Sequence, residues 1–237
     1  MARISRLRLV GGRSGEPIEA DNGLPHPQYY RVRYEMETVV WRGRDPSLYV
    51  IGIHGYIIAP MNNDEEVVAG QVQADWVRLG QATNDGGPPA FEIFDSIDQE
   101  LCNVFEALYD LETNEISEDV AEMGHRDLLY VREIEILPLH RGRALGLYVL
   151  RNVMDTFGEE CAATALCPWP YDYADEPKRA EEMGAGGFVK DRVVATKKLT
   201  DYVSRLGFSR VRDTEFFAVD MTRKLPQIDD LLDRRYR

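Results

Sequence analysis

The residues best equipped for chemistry crowd into one stretch, residues 131–151, which read VREIEILPLHRGRALGLYVLR. A strand-like run stops at Pro138, and Arg141, Gly142, Arg143, Ala144, Leu145 and Gly146 form a turn from which a helix starts. The first N–H groups of a helix find no partner within it, and the helix dipole favours an anion there. Small residues at 142, 144 and 146 let a ligand approach the backbone, and the two arginines can add charge-assisted bonds. A ligand bearing a diphosphate suits this arrangement. The competing reading is an ordinary strand-to-helix turn with solvated arginines. No G-x-x-x-x-G-K-[ST] occurs, and no G-x-G-x-x-G follows a strand, so the commoner nucleotide cradles are missing.

Glu133 and Glu135 sit two apart on the strand that enters the turn. Extended backbone places both on one face, with Val131 and Leu137 beside them. A partly buried carboxylate has a raised pKa and can accept a proton directly or through water; ion-paired glutamates on a packed face are the alternative. Cys167 is read as a small buried hydrophobe rather than a nucleophile, because no basic partner follows from the sequence. His140 precedes the arginine turn and His125 stands before the strand. The segment 168–190 carries Trp169, Tyr171 and Tyr173, which either line an acceptor pocket or cover the core or an oligomer contact. No H-E-x-x-H, C-x-x-C or G-x-S-x-G occurs, so zinc and serine hydrolase chemistry lack support and no metal site is expected.

Around these residues lie 237 positions, 44% hydrophobic, enough for a large core in a single domain spanning 1–237. Lys plus Arg number 28 against 41 Asp plus Glu, a net charge of −13. That balance argues against a nucleic-acid partner, which needs a broad basic face, and favours cationic partners. No apolar run approaches the roughly 20 residues of a membrane span, so no membrane association is expected. Cys102, Cys161 and Cys167 are too few for a disulfide framework, and the basic start lacks a secretory apolar region; a cytoplasmic location is the expectation.

The elements that must position the turn are read as follows. Residues 1–28 form an irregular, Gly- and Pro-rich extension. Strands are predicted at 29–41, 48–59 and 66–79, the second buried on both faces, with antiparallel connections. Phe91, Phe94, Ile97, Leu101, Val104, Phe105, Leu108 and Leu111 are spaced for one helical face, and residues 91–122 hold eleven Asp or Glu with no Lys or Arg. This acidic side is either a solvated face or a wall that draws a cationic substrate. A strand at 128–137, a helix at 139–157, a strand at 161–167, a helix at 195–206 ended by Gly207 and strands at 209–221 follow. Leu225, Ile228, Leu231 and Leu232 mark a tail helix within 224–237 that docks on its own domain or on a second subunit. The pattern is α/β (α+β).

The turn resembles the acetyl-CoA signature of the GCN5-related N-acetyltransferase (GNAT) superfamily: Arg or Gln, two residues, Gly, one residue, then Gly or Ala. Arg141, Ala144 and Gly146 occupy those positions, with Ala144 where the first Gly usually stands; the added methyl is tolerable if the local φ is negative. The run from Tyr202 to Phe208 resembles the family's aromatic-Tyr-x-x-x-Gly-Phe ending of the next helix. Order and motifs match over 128–221, the implied acyl-CoA-binding core.

The resemblance implies a mixed central sheet with two splayed parallel strands, 131–137 and 161–167, flanked by helices. It implies acetyl-CoA as acyl donor, with Ile136 and Leu137 offering main-chain groups to the pantetheine and thioester. Residues 141–146, comprising Arg141, Gly142, Arg143, Ala144, Leu145 and Gly146, would hold the diphosphate, with Lys197 and Lys198 as further phosphate partners. It also implies direct acetyl transfer to an amine, on a small molecule or a protein, with Glu133 or Glu135 as base. The family's usual acid, a Tyr four residues before the helix-ending Gly, falls on Val203; Tyr202, one position earlier and rotated by about 100°, is the remaining catalytic candidate for that role, although it aligns with a core aromatic. Strong strands come first and the long helix directly precedes the signature strand, which departs from the family's early strand followed by two helices. A catalytically inactive GNAT-like CoA-binding or interaction module, or a homodimerising one, is therefore kept as the alternative.

Overall fold

A computed structural model describes residues 24–38, 45–60, 66–122, 125–169 and 192–228. Among these residues seven strands form one mixed sheet: β1 (Arg31–Met36), β2 (Val50–Pro60), β3 (Glu66–Val77), β4 (Asp127–Ile136), β5 (Cys161–Leu166), β6 (Ser209–Arg210) and β7 (Phe217–Asp220). Their order is β1-β2-β3-β4-β5-β7-β6. β4 and β5 run parallel and the other neighbouring pairs antiparallel. A parallel pair needs a crossover, which α4 (Leu145–Phe157) supplies. Three short helices, α1 (Leu79–Asn84), α2 (Ala90–Asp95) and α3 (Gln99–Leu108), lie between β3 and β4, and α5 (Arg192–Val203) precedes β6.

Alternation along β4 divides the apolar side chains between two layers. Leu128 and Tyr130 pack with Ile93, Phe94, Leu101 and Phe105 of α2 and α3. Leu129 and Val131 face the other way, onto Leu147, Leu150 and Val153 of α4 and onto Val203 and Leu206. Every residue of β5 is buried, and four of its six are Cys or Ala, so helices can close on both of its sides.

Several sequence expectations change. The apolar spacing after residue 90 is split between α2 and α3. Asp98, in extended backbone, accepts the Leu101 N–H at 2.9 Å and starts a new helix there. Leu111 is 64% exposed and lies in a turn beyond the helix. The helix expected over 139–157 begins only at Leu145, because Pro138–His140 forms a 3-10 turn and Ala144 has left-handed backbone. β2 is not buried on both faces: Gly52 is exposed, and His54 and Tyr56 are half-buried. Gly207, with φ +94°, does end the helical segment. Leu225 and Ile228 pack on the α4 side of the core, while Leu231 and Leu232 lie outside the described residues. Among the described residues, no helix is long and apolar enough to cross a membrane.

Candidate functional site

β4 changes character halfway. Its first five residues are buried, its last five half-buried. The pairing with β5 stops at Val131 and Leu166, whereas β3 pairs with β4 as far as Ile136. At the change lies a bulge: Gln73 pairs with Glu133 and Ala74 with Val131, so Arg132 is the extra residue. A bulge bends its strand and sharpens the local twist. Gly70 adds to this, since a Cβ there would stand 2.1 Å from the Glu135 carbonyl oxygen. Only glycine lets β3 approach the end of β4 so closely. The second half of β4 thus follows β3 and, among the described residues, has no strand partner on its β5 side.

The bulge also corrects the assignment of faces. Beyond it, Ile134 and Ile136 pack on the same side as Leu129 and Val131. Glu133 and Glu135 share the opposite face, so Val131 is not beside them. The signal was present in the sequence, because apolar residues change phase from 129 and 131 to 134 and 136.

Peptide planarity then fixes one carbonyl. Leu137 N–H donates to the Ala69 carbonyl at 2.8 Å, on the β3 side. In a trans peptide the preceding C=O points the opposite way, so Ile136 O faces away from β3. The Leu137 C=O accepts from His140 N–H at 2.9 Å, so both Leu137 main-chain groups are engaged inside the protein. Of the pair expected to face a ligand, Ile136 has the orientation required.

In the turn that follows, Gly142 has φ +78° and Ala144 φ +59°, while Arg143 between them stays negative. The condition that would make Ala144 cost-free is not met, because its left-handed backbone costs about 1–2 kcal/mol in an L-residue. Alternating backbone of this kind makes concavities lined by N–H groups. Among the described residues, the N–H groups of Gly142, Arg143, Ala144, Leu145 and Gly146 have no hydrogen-bond partner. The next amide, on Leu147, donates to the Ala144 carbonyl and to the Tyr202 hydroxyl, each at 2.9 Å. Tyr202 is therefore more than a core aromatic: its phenol ties the end of α5 to the first turn of α4. Val203 beside it is buried at 7% exposure.

The two arginines of the turn differ. Arg141 Nε donates to Ile136 O at 2.7 Å. Arg143 Nη1 is buried without a hydrogen-bond partner among the described residues. Among the described residues neither arginine has a carboxylate partner, although Arg126, Arg132, Arg151 and Arg212 all do. Behind the turn, the Tyr30 hydroxyl and His140 Nδ1 are hydrogen-bonded at 2.8 Å. Burial, reinforced by Arg143, pushes His140 below its ordinary 6.5, which favours the neutral ring. Nothing in the sequence pointed to Tyr30.

On the other face of β4, Glu135 Oε2 accepts from Gln71 Nε2 of β3 at 2.9 Å, and Gln71 Oε1 lies 3.4 Å from His54 Nε2 of β2. Gln71 was not anticipated; it stands directly opposite Glu135 in the register. Next to these, Arg132 is held by Asp75, by Asp98 at 2.9 Å and by Glu100 at 2.8 Å, and Tyr130 donates to Glu100 at 2.6 Å. Three carboxylates around one guanidinium leave excess negative charge, and burial pushes Asp75 upward against the pull of Arg132. Within the acidic stretch, Asp98, Glu100, Glu115, Asp119 and Glu122 are all paired with arginines, which shrinks any acidic wall.

Burial pushes the Cys167 thiol up to about 11, with Glu215 and Glu100 adding to the rise, so a nucleophilic thiolate at neutral pH has no support. Lys197 and Lys198 are exposed on α5. Trp169 is 45% exposed, and Tyr171, Tyr173 and the rest of the segment to 190 fall outside the described residues. Compared with protein-family models, curated proteins and solved structures, the chain matches none.

Proposed function

We infer that this protein is an acyl-CoA-dependent N-acyltransferase of the GNAT type, moving an acetyl group directly from acetyl-CoA to an amine. The observation that carries the reading is the run of five amides at the start of α4 that have no partner among the described residues, lying beside a parallel strand pair that stops pairing at Val131 and Leu166. Arg143 Nη1, buried and unsatisfied among the described residues, supports it, since such an atom costs free energy until an anion meets it. The strand order, with one parallel pair at its centre, is compatible with the mixed sheet that the signature implies.

In this reading acetyl-CoA supplies an activated acetyl carbon as a thioester. The chain's own residues then have separate tasks. The amides of residues 142–146 and Arg143 hold the diphosphate, and Ile136 O accepts from the pantetheine arm. Glu133 or Glu135 takes the proton that the acceptor amine loses as its C–N bond forms and the thioester C–S bond breaks, and the departing thiolate takes a proton from water. Gln71 donates to Glu135 and so fixes one of its oxygens. Two carboxylates, with surplus negative charge around Arg132, favour a cationic amine over an anionic one.

Acetyl-CoA should raise the melting temperature. Arg141→Glu should abolish the shift by placing a negative charge at the diphosphate. Gly146→Trp should do the same, because even a Cβ there stands 3.3 Å from the Tyr202 hydroxyl. With an amine panel, CoA release should fall by about a hundredfold or more in Glu133→Gln or Glu135→Gln, whichever residue is the base. Absence of any acetyl-CoA shift in the wild type would refute the reading. A second reading, a CoA-binding module without catalysis, is favoured by one feature: Val203 occupies the acid position and is buried, and the Tyr202 hydroxyl serves Leu147. A thermal shift with no turnover over the panel would support it.

A further inference from the structure

We propose that Arg141 is a specificity latch: its guanidinium closes the Ile136 carbonyl to the donor's arm until a diphosphate draws it away. The proposal rests on the donor site described above and adds a rule to it. A donor lacking the diphosphate is disfavoured even if its acyl-bearing arm is identical.

Four observations carry it. Ile136 O points away from β3, to the side on which β4 has no strand partner among the described residues, because the Leu137 N–H in the same peptide is spent on Ala69. That carbonyl is already taken, by Arg141 Nε at 2.7 Å. The bond is the sole interaction of the Arg141 side chain among the described residues, so the charge is held by a neutral oxygen alone. A carbonyl is a poor partner for a guanidinium compared with a phosphate oxygen, where charge assistance and forked geometry act together. Arg141 also directly precedes the five open amides, so an anion gathered there lies within reach of the side chain's rotamers. When the diphosphate is present, Arg141 exchanges Ile136 O for it, and the freed carbonyl can accept an N–H from the pantetheine arm. The two halves of the donor then bind cooperatively through one side chain. With the arm alone, no anion compensates the lost bond, and the carbonyl stays closed.

The test compares CoA with pantetheine, which has the arm but no diphosphate, by titration calorimetry on the full chain. Wild type should bind CoA and bind pantetheine weakly. Arg141→Ala removes the latch and the phosphate contact together. It should weaken CoA by about tenfold or more and tighten pantetheine by about tenfold, the scale of one charge-assisted hydrogen bond. Arg141→Gln can still donate to Ile136 O but carries no charge; it should weaken CoA while leaving pantetheine as weak as in wild type. This variant also guards against a fold lost to the alanine substitution. If Arg141→Ala binds pantetheine no better than wild type does, with CoA binding intact in the wild type, the latch is refuted and the donor site stands. If the wild type binds no CoA at all, the donor site itself is wrong and the latch goes with it.

Discussion

The two halves of β4 teach more about this molecule than any comparison of its layers. Residues 128–131 are buried and paired on both sides; residues 133–136, past the unpaired Arg132, are half-buried and paired with β3 alone among the described residues. One continuous strand thus anchors the core at one end and leaves backbone available at the other. The switch is a single extra residue, Arg132, whose guanidinium is fastened by three carboxylates. Where the first half spends its side chains on stability, the second half can hold glutamates and an outward-facing carbonyl.

The contrast can be broken most forcefully by truncating side chains on one face. Leu129→Ala, in the fully buried half, should destabilise by about 3 kcal/mol, and Ile134→Ala beyond the bulge by about 1 kcal/mol. Urea midpoints of the two variants check this; equal losses would mean that the second half is as tightly packed as the first. A smaller effect concerns pH. His140 has a depressed pKa when folded, so below 6.5 the unfolded chain binds the proton more readily. Stability contributed by the neutral ring is complete above 6.5, declines as pH falls below it, and stops declining once the folded ring also protonates. His140→Gln should flatten this acid limb in a plot of Tm against pH, and an unaltered limb would assign it to other groups. The smallest effect is a gain: Ala144→Gly relieves the left-handed strain at φ +59° and should add about 0.5–1 kcal/mol of stability after glycine's greater entropy loss is counted. A loss of stability would show that the methyl of Ala144 makes packing contacts worth more than the strain.

How much of this was readable beforehand depended on the range of the interactions involved. The strand ending at Pro138, the small-residue turn and the helix stop at Gly207 are local, set by proline, glycine and periodicity within a few residues, and they appear close to where expected. The split of α2 from α3 was also local, since Asp98 is a good cap, but the continuous apolar spacing masked it. The faces of Glu133 and Glu135 were half legible. Their shared side follows from period two, whereas their separation from Val131 needs the bulge, a matter of how β4 meets β3. The Arg141 bond to Ile136, the Tyr202 bond to Leu147 and the Tyr30 contact with His140 join residues 5, 55 and 110 positions apart. The longer two depend on tertiary packing, which no spacing rule encodes.

The margins of the sheet carry a consequence for self-association. Among the described residues, one outer strand, β1, carries Arg31, Arg33 and Glu35 along one side, and the opposite outer strand, β6, is two exposed residues long. Charged or very short borders make poor templates for adding a strand from another molecule. If two copies of this protein come together, side chains rather than a shared ladder of backbone bonds should make the join, and such a join would be sensitive to salt wherever those charges take part.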